Sequence, residues 1–62
     1  SNDLNYLLGK QGIAVCDLRP SGTAEFEGKD YDVISEGRYL AKGTRITVVK
    51  VEGSKIIVRE QE

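Results

Sequence analysis

Histidine, methionine and tryptophan are absent from this 62-residue chain, and cysteine, proline and phenylalanine each occur once. Each absence removes a class of function. Without histidine the commonest general base is missing, and no zinc site of the Cys/His type can be assembled. Cys16 alone excludes an internal disulfide, so an apolar core must hold the fold together. No window approaches the run of about 20 apolar residues that crosses a bilayer as a helix, and no leader pattern marks a signal peptide. Aromatics make up 6% of the chain and the formal net charge is −1. Both argue against a phosphate backbone as partner, because stacking platforms and a basic excess are what such a partner requires.

What is present is β-prone. The hydrophobic share is 39%, mostly Val, Ile and Leu, against 31% charged residues, which suits a small β barrel or sandwich better than a disordered tail. A chain of this length makes one domain, and such a domain buries only about 60% of its unfolded surface. Ser1-Asn2 reads as the scar of a cleaved tag, which suggests a piece of a longer protein.

The stretch Leu18 to Gly28 organises the rest. Pro20 fixes its own φ and biases Arg19 away from helix, and Gly22 is expected to take the positive φ of a tight turn. After it Ala24 and Phe26 alternate with Thr23, Glu25 and Glu27, the pattern of a half-buried strand. A preceding strand is expected over Gly12 to Leu18, with Ala14, Cys16 and Leu18 on one face and Ile13 and Val15 on the other. Gly28-Lys29 should turn the chain into a third strand, Tyr31 to Ser35. Thr44 to Val51 is the most β-prone run. Its alternation breaks phase at Val48-Val49, which predicts a bulge or sharp coil there. Gly53-Ser54 is a two-residue hairpin signal before a last strand, Lys55 to Arg59.

The lead-in Asp3 to Leu8 is too short for an independent helix. Residues 1–8 are therefore set apart as tag scar and lead-in, 9–60 as the domain, and 61–62 as a frayed tail. Five strands with one longer connection fit an all-β, five-stranded oligonucleotide/oligosaccharide-binding (OB) barrel whose helix after the third strand has shrunk to a loop. An SH3-like barrel is the alternative.

No catalytic, cofactor or metal site is expected. Cys16 is read as a buried, inert thiol, and Ser21, Ser35 and Ser54 lie at turns or strand ends where hydroxyls satisfy local backbone. Asp30, Asp32 and Glu36 are close in sequence but read as turn and solvated carboxylates. The glycines lack the spacing of a phosphate loop. Arg19 and Asp32 are expected to pair across the barrel and pin the turn, which makes Arg19, Pro20, Gly22 and Asp32 a structural motif.

Gly9-Lys10-Gln11-Gly12-Ile13-Ala14, Leu18-Arg19-Pro20-Ser21-Gly22, Asp32-Val33-Ile34-Ser35-Glu36-Gly37 and Val48-Val49-Lys50-Val51-Glu52-Gly53, with Gly28 and Gly43, together closely resemble the C-terminal soluble domain of the NfeD family. The resemblance spans about residues 9–59, and the Leu-Arg-Pro-x-Gly turn and the Asp-Val-x-x-Glu-Gly segment are its most specific parts. Cys16 stands where threonine is expected. The resemblance implies an OB-type barrel in an integral membrane protein whose longer forms carry a ClpP-like serine protease domain, none of whose catalytic residues falls here. It also implies stomatin- or prohibitin-type membrane proteins as partners or substrates, and a membrane reached through helices of the parent; separately, the domain is expected on the cytoplasmic side.

The expected function is accordingly non-catalytic protein interaction. Its candidate surface is Glu36, Arg38, Tyr39 and Leu40 in the loop before the fourth strand, with Ile13 and Val15 on the first; Tyr39 and Leu40 could instead plug the barrel end. Binding of single-stranded nucleic acid or oligosaccharide by the same barrel is the alternative, which an anisotropy series at low salt would reveal.

Overall fold

Alternating apolar residues in five short segments close on themselves around a single core. The computed structural model describes residues 3–62, so Ser1-Asn2, read above as a tag scar, lies outside the described residues. A one-turn 3-10 helix (Asn5–Leu7) precedes β1 (Gln11–Ala14), β2 (Ser21–Phe26), β3 (Lys29–Ser35), β4 (Arg45–Glu52) and β5 (Lys55–Glu60). The strands form a closed barrel in the order β1-β2-β3-β5-β4. All neighbours are antiparallel except β3 and β5, which meet in parallel at Ile34 opposite Ile57 and Ser35 opposite Val58. This is the OB arrangement, a Greek-key barrel. The SH3-like alternative falls away, and no helix separates β3 from β4.

Period-2 alternation supplies most of the core. Ala14, Ala24, Phe26, Val33, Ile46, Val48, Ile56 and Val58 point inward from the strands, and Leu7, Leu18 and Leu40 enter from outside them. Leu7 is only 1% exposed, so the lead-in packs as part of the barrel. In β4 the register shifts between Val48 and Lys50. Val48 stands opposite Val58, and beyond the bulge Val51 stands opposite Ile56 and packs on the core. One extra residue thus restores the inward phase that strict alternation would have lost, as the Val48-Val49 phase break predicts.

Five local expectations are corrected. β1 ends at Ala14, because the chain bends at Val15-Cys16 and Leu18 instead pairs with Leu40. Cys16 is consequently exposed; its Sγ accepts a hydrogen bond from the Thr23 amide at 3.3 Å. The β2–β3 turn is Glu27-Gly28 with φ of 53° and 81°, one residue earlier than expected, and positive φ at both positions is the type I′ geometry that matches strand twist. Gly22 lies within β2 and not in a positive-φ turn. It is needed for proximity, since a Cβ there would sit 2.5 Å from Leu18 Cδ2 and 2.8 Å from the Asp17 carbonyl oxygen. At the far end Glu60 pairs with Ile46, and the Gln61 amide donates to the Arg45 carbonyl at 2.9 Å, so the tail is tied down as far as Gln61.

Candidate functional site

The connection between β3 and β4, residues 36–44, is fixed from several sides although it contains no helix. The Ser35 hydroxyl, buried at the strand end, donates to the Arg38 carbonyl. Glu36 is gripped by Arg59 through Nε at 2.9 Å and Nη2 at 2.6 Å. Leu18 and Leu40 exchange backbone hydrogen bonds at 2.8 and 3.1 Å. Thr44 donates its hydroxyl to the Ala41 carbonyl at 2.6 Å, and Gly43, at φ 90°, closes that turn. A connection tied at this many points presents its side chains with little ordering left to do on binding.

The loop returns to the Arg19-Pro20 turn. Asp17 Oδ1 accepts the Lys42 amide at 2.9 Å while Oδ2 accepts Arg19 Nη2 at 3.0 Å. The Arg19 guanidinium lies 5.6 Å from the centre of the Tyr39 ring, a cation–π distance. Arg19, Pro20, Gly37, Arg38 and Tyr39 line one groove of ≈530 Å³. The amide of Lys42, then the Arg19 guanidinium, hold the Asp17 carboxyl below its ordinary range, and Asp17 in turn holds Arg19 more firmly protonated.

That depression has a consequence for acid stability. Asp17 is ionised in the folded state at a pH where the unfolded chain already binds the proton, so its contribution is complete above the unfolded carboxylate value and is lost as pH falls through the lowered one. In melting curves taken from neutral pH down to strongly acidic pH, Asp17→Asn should flatten part of the fall in Tm seen below about pH 4. An unchanged acid limb would remove Asp17 from the account.

The structure divides the expected surface residues. Arg38 and Tyr39 share the groove with Arg19 and Pro20. Glu36 is in the same loop but engaged by Arg59. Leu40 is 4% exposed and belongs to the core, so of the two residues suggested as a plug only Leu40 faces inward, while Tyr39 is 55% exposed. Ile13, 44% exposed, and half-buried Val15 lie elsewhere on the barrel wall; Ile13 stands between Glu25 and Arg45.

The Arg19–Asp32 pair does not form. Asp32 sits on β3 opposite Thr23, and Arg19 is taken by Asp17 two residues away. Asp30 and Asp32 are exposed on the outer side of β3, and no group of three metal-ligating side chains gathers among the described residues. The groove itself was only half visible in sequence. Arg19 and Tyr39 were noted separately, but they are 20 positions apart and only the return of the loop brings them together.

Residues 4–60 match the profile of the NfeD-like C-terminal, partner-binding domain. Over 54 residues the chain is 50% identical to membrane protein NfeD1b of Bacillus subtilis (strain 168), a match that covers 87% of this chain and 12% of that protein. The chain therefore spans a small part of that relative's length. In fold it is similar to the C-terminal domain of stomatin operon partner protein 1510-C from Pyrococcus horikoshii, with a TM-score of 0.91 at 24% identity, covering 100% of this chain and 98% of the other. It is also similar to the soluble domain of a membrane protein implicated in regulation of membrane protease activity from Corynebacterium glutamicum, with a TM-score of 0.80 at 23% identity, covering 92% and 97% of the two chains.

Proposed function

Since the chain belongs to the family of NfeD-like C-terminal, partner-binding domains, we propose that it is the non-catalytic docking module of a membrane protein and engages a stomatin- or prohibitin-type membrane protein through the groove between Arg19 and Tyr39. The observation that carries this reading is the pre-ordered groove, where exposed Tyr39 and Arg38, on a loop tied down at Glu36, Leu40 and Lys42, face Arg19 of the β1–β2 connection. Tyr and Arg are the side chains that most often dominate binding energy. The groove residues Arg19, Pro20, Gly37, Arg38 and Tyr39 all lie outside the strands, so recognition there falls to loop side chains. The name of the Pyrococcus horikoshii neighbour supports the partner class. Such a domain would bring the parent protein, including any ClpP-class serine protease domain that it carries, to its partner. We place it on the cytoplasmic side, where the free thiol of Cys16 would remain reduced.

The nucleic-acid alternative is disfavoured by the outer face of β2 and β3. OB barrels bind oligonucleotides with that face, and here it carries Thr23, Glu25, Asp30 and Asp32. Tyr31 packs against the core and its hydroxyl is hydrogen bonded to that of Tyr6 at 2.8 Å, so it provides no free ring for a base.

Chemical-shift mapping with the isotope-labelled domain and the membrane-free part of a stomatin-type protein tests the proposal. Shifts should concentrate at Arg19, Gly37, Arg38 and Tyr39. Shifts centred on Ile13 and Val15 would move the surface to the barrel wall, and no shifts at saturating partner would overturn the partner class.

A further inference from the structure

The charge pattern around the groove says more about what it takes. Arg19 and Arg38 line it and Lys42 follows in the same loop. Asp17 and Glu36 are the acids beside it: both oxygens of Asp17 are engaged, one by the Lys42 amide and one by Arg19, and Glu36 is held by Arg59. Arg38 is exposed and takes part in none of the four ion pairs among the described residues. Glu25, Glu27, Asp30 and Asp32 cluster instead on and beside the β2–β3 hairpin. A chain whose net charge is −1 thus carries a locally basic end, and this end also has apolar walls in Pro20 and the Tyr39 ring.

We propose that the groove binds an acidic peptide segment of the partner, with a carboxylate paired to the free Arg38 guanidinium and an apolar or proline side chain laid on Pro20 and Tyr39. The inference rests on the partner-binding reading above and names the chemistry of what is bound. A guanidinium fork matches a carboxylate in two parallel hydrogen bonds, and an acidic segment is drawn to this end while the hairpin repels it. An anionic membrane is the poorer occupant, since it would require a broad basic face and the barrel offers two arginines in one groove.

The test uses the whole chain and two sets of probes. One is a set of short overlapping peptides covering the membrane-free part of a stomatin-type protein. The other is a synthetic peptide of alternating Asp-Glu and Pro-Phe pairs, with its Asn-Gln counterpart. Binding should be confined to acidic peptides, should weaken as salt is raised because the contacts are exposed, and should fall roughly tenfold in Arg38→Glu. Arg45→Glu, on the barrel wall, should bind as wild type. Arg38 offers the fold only its backbone carbonyl, so Arg38→Glu should melt as wild type does. Partner binding that is indifferent to Arg38→Glu, or confined to neutral or basic peptides, would overturn the inference and leave the docking proposal standing. Binding of the synthetic acidic peptide without any partner peptide would keep the inference and overturn the partner class. Binding to phosphatidylserine vesicles, with no peptide bound, would overturn the inference in favour of a lipid surface, as would concentration-dependent shifts of the chain alone in favour of self-association.

Discussion

Phe26→Ala should cost about 3–5 kcal/mol of folding free energy. Phe26 is the one phenylalanine of the sequence and is 1% exposed at the end of β2. Its ring lies edge-on to Tyr31, with centroids 6.0 Å apart and planes at 62°, and it covers the backbone of Gly12. The other inward residues of the strands are Ala, Val, Ile and Ser, so no neighbour can grow into the space that truncation leaves. A domain of this size has a total stability of about 3–9 kcal/mol, so the substitution removes from about a third to all of it. Urea titration followed by far-UV circular dichroism measures the change directly. Phe26→Leu should recover a large part of the loss, because it restores most of the volume. A loss under about 1 kcal/mol in the alanine variant would mean that the ring is not central to the core.

Gly12→Ala should destabilise by about 2–3 kcal/mol, at the upper end of what overpacking costs, and lower Tm by roughly 10–20 °C. The sign is the informative part. In an ordinary strand, alanine is the better residue, since glycine loses more freedom on folding, and Gly12 has no positive φ that would favour glycine. Crowding decides the matter. A Cβ at Gly12 would collide with the Glu25 carbonyl oxygen and approach Phe26 Cδ1 to 2.5 Å and Cε1 to 2.7 Å. The carbonyl belongs to β2 backbone and cannot turn aside, so β1 would have to move away from its pairing at Ile13–Glu25 and Ala14–Ala24. Combining Gly12→Ala with Phe26→Leu should cost less than the sum of the two, because the smaller side chain relieves part of the collision. Strict additivity in thermal melts would show that the ring is not the obstacle. A stabilised Gly12→Ala would overturn the close approach altogether.

Both predictions concern one contact, and it shows what kind of fact the chain conceals. Phe26 was legible as a core residue from its alternation with Thr23, Glu25 and Glu27. Gly12 reads only as the first residue of a strand, because the ring that forbids a side chain there arrives from a different strand. Cys16 shows the opposite error. Its alternation with Ala14 and Leu18 suggested a buried thiol, yet alternation predicts burial only while the ladder continues, and β1 ends at Ala14. Arg19 was given to Asp32 by assuming reach across the barrel, whereas Asp17, fixed by the Lys42 amide, stands nearer. Residues 36–42 read as a loop and are one, but its two hydrophobic residues have opposite fates. Leu40 seals the core and Tyr39 faces the groove.

The sequence by itself determined the number of strands, the inward residues of β2, β3 and β5, the bulge at Val48-Val49 and the Gly53-Ser54 turn. Each depends on the period-2 geometry of a strand or the φ demands of a tight turn, which act between residues close along the chain. Tertiary structure alone decided the parallel closure of β3 on β5, the need for glycine at positions 12 and 22, the exposure of Cys16 and the groove itself. These depend on what chain closure brings together: Leu18 with Leu40, Asp17 with the Lys42 amide 25 residues on, and Arg19 with Tyr39. No local pattern encodes such distances, because they are set by how a small barrel must close to exclude water from its core.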